Sequence, residues 1–397
     1  RMSTTRRTSL PNPSPQRSSI RRPVVSSSPK RTTGTPTTRN ITSTRTSRTS
    51  YSPSTSRQLR GGGNKTNISN RKTSLTSQQS SSNDTSTISE IRRISLTSNA
   101  KKIVKTSSDA IWCGCKDGTI HVLDSSTGDV LERLEGPIYS GSKTPVKIDV
   151  TSMALIDNYV WTGSNEGTIR LWDSSTYSLF KELQGHTSSI SVITAESIED
   201  DDSSQRLVFS GSHDWTIRVW NASGNFIRQL LGHTSWVRCL LFESYSRILW
   251  SGGDEGIIRR WDMSDLELSD SISQHHAHVK GVNSLALTKQ SKNEFRIWSG
   301  SVDGVIKIWD LSGEPISIIQ GHKGWISCII PIADMIWTGS TDKTIKIWNL
   351  NGKLLKTISI GLYIGSINKW NNNNIWISTS DKSLRIYEIS NLKLIQR

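Results

Sequence analysis

The sequence predicts an all-β fold in which seven four-stranded sheets close into a ring. Three observations carry that expectation. First, one line recurs seven times, beginning at positions 112, 161, 209, 250, 298, 337 and 376, for example WTGSNEGTIRLWD, WSGSVDGVIKIWD and WTGSTDKTIKIWN. Second, each copy alternates apolar and polar residues on both sides of a small, acidic turn, which is the pattern of a β-hairpin. Third, short apolar stretches flank the copies, such as 236–242 and 325–330 upstream and 226–231 and 354–358 downstream, so each repeat has material for four strands. Sheets apolar on both faces need a neighbour on each side. A closed circle supplies these neighbours without leaving long unprotected edges.

The segment before the repeats has a different composition. Residues 1–80 hold 16 basic and no acidic side chains, 34 Ser and Thr, and 10 residues of the apolar set. So little apolar surface cannot offset the entropy of ordering, and the segment is expected to be a disordered basic tail. The formal charge of the whole chain is +15, yet 33 basic side chains face 34 acidic ones over 81–397. The basicity therefore belongs to the tail, which argues against a basic globular nucleic-acid-binding domain. All 15 tryptophans lie after the tail. The expected division is a tail over 1–86 and a repeat-built domain over 87–397. No run reaches the roughly 18 apolar residues that a membrane span requires, and no secretory signal opens the sequence. The four cysteines lack the spacing of a disulfide framework or zinc site. The expected location is cytoplasmic, with the nucleus as the alternative.

The repeats resemble the WD-repeat family. Trp-Asp closes the line at Trp172-Asp173, Trp261-Asp262 and Trp309-Asp310, Trp-Asn closes it at 220–221 and 348–349, and Gly-His precedes it at Gly185-His186, Gly232-His233 and Gly321-His322. The resemblance covers nearly all of 100–397 and implies a seven-bladed β-propeller. It also implies a structural staple within a blade, made by a buried His, the turn acid and the Trp of the third strand. The matching residues are His186, Asp214 and Trp220 in blade three, His233, Glu255 and Trp261 in blade four, His278, Asp303 and Trp309 in blade five, and His322, Asp342 and Trp348 in blade six. The pattern thins at both ends of the ring, where Leu123 replaces Trp and Tyr387-Glu388 ends the last copy. Two segments, 90–96 and 392–395, compete for the outer strand of the last blade. The family's usual closure favours the first.

In WD-repeat proteins partners bind at the narrow top opening. By the family's offsets this opening is lined here by Trp236, Arg238 and Asp254 in blade four and by Trp325, Ser327 and Thr341 in blade six. His213, Ser189 and Ser191 represent blade three, with Lys116 and Asn165 at the turns of blades one and two. Aromatic residues beside Arg at an exposed rim are the composition of interaction hot spots. The plainer alternative is that the two tryptophans only cover strand ends.

No nucleophile elbow, HExxH or kinase signature is present, so no catalysis, cofactor or metal is expected. The tract 275–278 has one histidine at a staple position, His278, which leaves only two others for a ligand set. The tail repeats a different signal. Two basic residues, a spacer, Ser and Leu occur around Ser9, Ser74 and Ser95, resembling basophilic kinase sites, while Ser14 and Ser28 precede Pro like proline-directed sites. Phosphorylation there would offset much of the tail's charge. An unmodified tail suits an acidic surface, whether cytoskeletal, anionic lipid or RNA. The leading expectation is a non-catalytic protein-interaction scaffold that docks proteins on its top face. One alternative is the regulatory portion of a larger signalling enzyme, because repeats opening with Ile-Trp-[Ser/Thr]-Gly-Ser resemble the propellers of some inositol polyphosphate 5-phosphatases and Rho exchange factors. Another is a cytoskeleton-associated protein acting through the tail.

Overall fold

A computed structural model describes residues 73–74 and 88–389, except 107–108, 137, 140–145, 197–205, 265–270, 292–293 and 372. The tail's expected disorder, Ser9, Ser14, Ser28 and the alternative closing segment 392–395 lie outside the described residues. The described residues contain strands and no helix. Six antiparallel sheets of four strands and one of five account for seven blades. Blade one comprises Ala100–Lys105, Ala110–Cys115, Ile120–Asp124 and Val130–Leu134, and the others repeat its order from an inner to an outer strand.

The inner strands make the ring. Ala100–Lys105 lies against Val150–Ile156, and the chain of neighbours continues through Ile190–Ala195, Val237–Glu243, Val282–Ser291, Ile326–Ile332 and Ile364–Lys369 back to Ala100–Lys105. A small two-stranded sheet, Ile138–Tyr139 with Val146–Lys147, sits in the connection between blades one and two.

Packing between blades explains the first three letters of the repeated line. Its opening tryptophan is fully buried in six blades and packs on the inner strand of the next blade. Trp250 meets Val282 and Leu285, Trp298 meets Ile326 and Ile329, and Trp337 meets Ile364 and Ile367. The glycine two residues later is required by the same approach. A Cβ on Gly300 would stand 2.6 Å from Ile326 Cγ2, and one on Gly339 equally close to Ile364 Cγ2, nearer than packed carbon atoms approach.

The ring is closed from the N-terminal side. Ser89–Ser95 pairs antiparallel with Ser383–Glu388, so the outer strand of blade seven comes from before blade one. The two-residue strand Thr73–Ser74 pairs outside it. Glu90, buried in this seam, accepts from Arg93 Nε at 2.9 Å, Arg385 Nη1 at 3.0 Å and the Tyr387 hydroxyl at 3.2 Å. Burial and the Glu90 charge push the Tyr387 hydroxyl up to about 12. Blade seven thus holds itself together with a buried ionic cluster at the place where the sequence loses His and Trp.

Candidate interaction surface

The staple positions come together in four blades, and a fourth residue joins them. In blade six Trp348 Nε1 donates to Thr338 Oγ1 at 2.9 Å, Thr338 Oγ1 lies 2.7 Å from His322 Nε2, and His322 Nδ1 lies 2.8 Å from Asp342 Oδ2. Blade three repeats the chain through Trp220, Ser210, His186 and Asp214, and blade four through Trp261, Ser251, His233 and Glu255. In blade five Trp309 and His278 meet on Ser299, while Asp303 Oδ2 stands 3.4 Å from His278 Nδ1. In blades three, four and six the indole donates to the hydroxyl, the hydroxyl oxygen lies within hydrogen-bond distance of the imidazole Nε2, and the imidazole Nδ1 faces the carboxylate.

A pattern of His, acid and Trp alone does not include the linking hydroxyl. Its signal is the Ser or Thr that follows the opening aromatic in every one of these copies. Burial, partly offset by Asp303, pushes the His278 imidazole down to about 4. At Asp342 burial acts in the opposite sense and is outweighed by the hydrogen bonds from Thr344 and His322, which hold its carboxyl at about 2. Most polar atoms of these side chains are committed to one another, Glu255 Oε2 and His278 Nδ1 being the buried exceptions.

One backbone hydrogen bond recurs in all seven blades and defines a rim. The residue before the turn acid donates its N–H to the carbonyl of the residue that leads into the inner strand. The pairs are Lys116 to Asn99, Asn165 to Asp149, His213 to Ser189, Asp254 to Trp236, Val302 to Gly281, Thr341 to Trp325 and Ser380 to Tyr363. Eight of the eleven positions expected at the opening fall on this rim: Lys116, Asn165, His213, Ser189, Asp254, Trp236, Thr341 and Trp325. Arg238, Ser191 and Ser327 follow two residues further along their inner strands.

Side-chain chemistry at the rim is uneven around the ring. Trp236 is 42% exposed, and the His213 ring stacks on it at 4.2 Å with a 9° tilt. The Arg238 guanidinium lies 5.5 Å from the Trp236 ring centre and donates from Nε to Asp254 Oδ1 at 2.6 Å. Burial and the Arg238 charge lower the His213 pKa. Trp325 is 53% exposed, although its N–H is fixed to Thr341 Oγ1 at 2.9 Å.

By contrast, Ser327 donates its hydroxyl to the Gly339 carbonyl at 3.0 Å. Ser191 likewise bonds the carbonyls of Gly211 and Val237, tying blade three to blade four. The exposed large side chains at the rim of blades three, four, six and seven are aromatic: Trp215, Trp236, Trp325 and Tyr363.

Two rim aromatics escaped the sequence offsets. Tyr363, 53% exposed, occupies in blade seven the place of Trp236 and Trp325, with the Lys343 ammonium 5.8 Å from its ring centre. It was not found because blade seven has no Gly-His from which to count. Trp215, 52% exposed, follows the turn acid of blade three with φ 72°, where Gly118, Gly167, Gly256 and Gly304 stand in other blades. A tryptophan in the left-handed region is a costly choice for a turn.

Comparisons with known proteins agree with the fold. A family model described as WD domain, G-beta repeat matches residues 177–221 and 313–349, and one described as IP5P C-F beta-propeller matches residues 223–318. Nuclear distribution protein nudF of Aspergillus terreus is 40% identical over 77 residues, 19% of this chain and 17% of that protein. Nuclear distribution protein nudF of Emericella nidulans is 42% identical over the same shares. The chain thus matches 17% of the length of these curated relatives. The crystal structure of the computationally designed Ika8 protein superposes with a TM-score of 0.55 at 24% identity, covering 74% of this chain and 98% of that one, a likeness of fold. With seven sheets in a ring, an intra-blade hydrogen-bond chain that recurs in four of them and matched repeats, this chain is a seven-bladed β-propeller that carries WD40 repeats.

Proposed function

We propose that the propeller is a non-catalytic scaffold that docks a protein partner on its top rim. The observation that carries this reading is the solvent-facing Trp236, held between blades three and four by His213 and Arg238 while 42% of it stays exposed. Trp325, Tyr363 and Trp215 share this exposure. Rigid aromatics cost little entropy on binding, and with a neighbouring guanidinium they supply most of the energy of typical protein interfaces. The working site is Trp236, Arg238, Asp254, Trp325 and Thr341, with His213 and Ser189 at its edge and Lys116 and Asn165 across the opening. Ser191 and Ser327 support the inner strands. The nuclear distribution relatives favour a partner in that process, on the strength of the 77 aligned residues. The test is affinity capture with the intact chain beside a Trp236→Ala, Trp325→Ala variant that still folds by circular dichroism. Loss of the main partners in the variant supports the rim; unchanged capture refutes it.

A second reading treats the propeller as the regulatory portion of a larger inositol polyphosphate 5-phosphatase. It is favoured by the match over 223–318. The intact mass of the natural product decides it.

A further inference from the structure

The strand that closes the ring is also a kinase motif. Arg92-Arg93-Ile94-Ser95-Leu96 has the two basic residues, spacer, serine and apolar residue that basophilic kinases read, and it falls within Ser89–Ser95 and the residue after it. In the closed ring those features are unavailable. Ser95 is exposed, but its backbone is in register with Ser383, and Leu96 N–H donates to the Lys382 carbonyl at 2.8 Å. Ile94 and Leu96 are buried with Ile103, Trp376 and Leu384, so the strand is anchored into the core shared with blade one. Arg92 lies against Gly128 with its Nη1 buried, and Arg93 is tied to Glu90 at 2.9 Å. A kinase needs both guanidiniums and a free, extended backbone around the serine. Only a strand that has left blade seven offers them.

The face of blade seven that carries Ser95 is electrically balanced. Arg93 and Arg385 supply two positive charges. Glu90 and Asp381 supply two negative ones, with Arg385 Nη2 donating to Asp381 Oδ2 at 2.6 Å and Nη1 to Glu90 Oε2 at 3.0 Å. A phosphoserine adds about −1.5 to −2 charge. Both arginines are already paired, so the added charge would have to draw one of them from a buried carboxylate or stay beside Asp381 uncompensated. Either outcome weakens the seam, because a buried carboxylate stripped of its partner is costly.

We propose that Ser95 is a phosphorylation site read only when the closing strand leaves its blade, and that the phosphate then opposes the strand's return. In the transfer, Ser95 Oγ attacks the γ-phosphorus of ATP and its proton passes to the kinase's base. The bond from the γ-phosphorus to the bridging oxygen breaks, and ADP leaves. Partial opening of an outer strand, paired on its far side with Thr73–Ser74 at Glu90 and Ser89, is a normal local fluctuation, and the modification converts it into a longer-lived state.

The test uses the full chain, a basophilic kinase and ATP, with occupancy of Ser95 and Ser9 followed in time by mass spectrometry. Ser9 carries the same motif earlier in the sequence and calibrates the kinase. Synthetic peptides spanning each site are expected to react at similar rates. In the intact chain Ser95 is expected to lag Ser9 by about tenfold or more. A Glu90→Gln chain, or wild type in urea below its unfolding transition, is expected to narrow the gap while Ser9 keeps its rate. The Ser95 phosphoform is expected to melt at a lower temperature than the unmodified chain. If Ser95 keeps pace with Ser9 in the intact chain, or its peptide is not accepted, the site assignment fails. If the phosphoform melts at the same or a higher temperature, the hold-open role fails. Because urea is a second way to loosen the strand, a Glu90→Gln chain that does not fold still leaves the proposal open to refutation.

Discussion

Replacing Thr338 by Val tests the hydrogen-bond chain with little change of shape. The substitution exchanges a hydroxyl for a methyl group. It leaves Trp348 Nε1, bonded at 2.9 Å, and His322 Nε2, at 2.7 Å, without partners, where Trp348 is 3% exposed and the His322 side chain is fully buried. Each buried polar group left unpaired costs about 1–3 kcal/mol. The added methyl returns about 0.8 kcal/mol of apolar burial. The expected net loss is about 1–5 kcal/mol, centred near 3. Thr338→Ser keeps the hydroxyl and loses only a methyl, so it is expected to cost about 1 kcal/mol. Urea unfolding followed by tryptophan fluorescence, together with hydrogen exchange of blade six, measures both. A Thr338→Val chain within about 0.5 kcal/mol of wild type, or less damaged than Thr338→Ser, would refute the assignment of this hydroxyl as the link between His and Trp.

Four further outcomes follow from the same geometry. The His278 imidazole, pushed down to about 4 from 6.5 by burial, contributes stability that is complete above pH 6.5 and is lost as pH falls toward 4. Asp342 and Asp381, both held at about 2, contribute stability that is present above pH 3.8 and lost as pH falls toward 2. Thermal midpoints across pH 7 to 2 should therefore fall in two stages, and a His278→Gln chain should show a smaller first stage, the rest coming from His322 and the other histidines whose burial lowers them.

Trp215→Gly relieves a left-handed tryptophan at φ 72° and is expected to raise stability by about 0.5–1 kcal/mol in thermal melts while weakening partner binding at the rim. Gly300→Ala forces a Cβ to 2.6 Å from Ile326 Cγ2 and is expected to cost about 1–3 kcal/mol by urea unfolding. Arg238→Ala breaks a partly exposed ion pair with Asp254 and is expected to cost under about 1 kcal/mol in the same assay, yet to lower partner affinity measured by titration calorimetry.

The sequence by itself determined the all-β class, the number of blades and the staple positions. The alternation and turn acid are local facts repeated seven times, and the staple positions are repeated in four blades. Alternation fixes which residues face a neighbouring blade, and in the four stapled blades the Trp follows the turn acid by six residues and the leading His precedes the inner strand by four. Legibility failed where a property depends on what lies across a gap. The hydroxyls of Ser210, Ser251, Ser299 and Thr338 look like ordinary strand residues until a His from the preceding connection and a Trp from the next strand converge on them. Tyr363 was hidden because its place is set by its backbone bond from Ser380 and has no local motif.

Closure is an intermediate case, since segments 90–96 and 392–395 have similar strand patterns and only the family resemblance favoured the first, which does pair with Ser383–Glu388. Tertiary structure selected the first because Glu90 is the acid that can pair with Arg385 and Tyr387, nearly 300 residues away. Local alternation says that a segment can be a strand. Which edge it occupies is settled by buried side chains that find their partners only after the ring has formed.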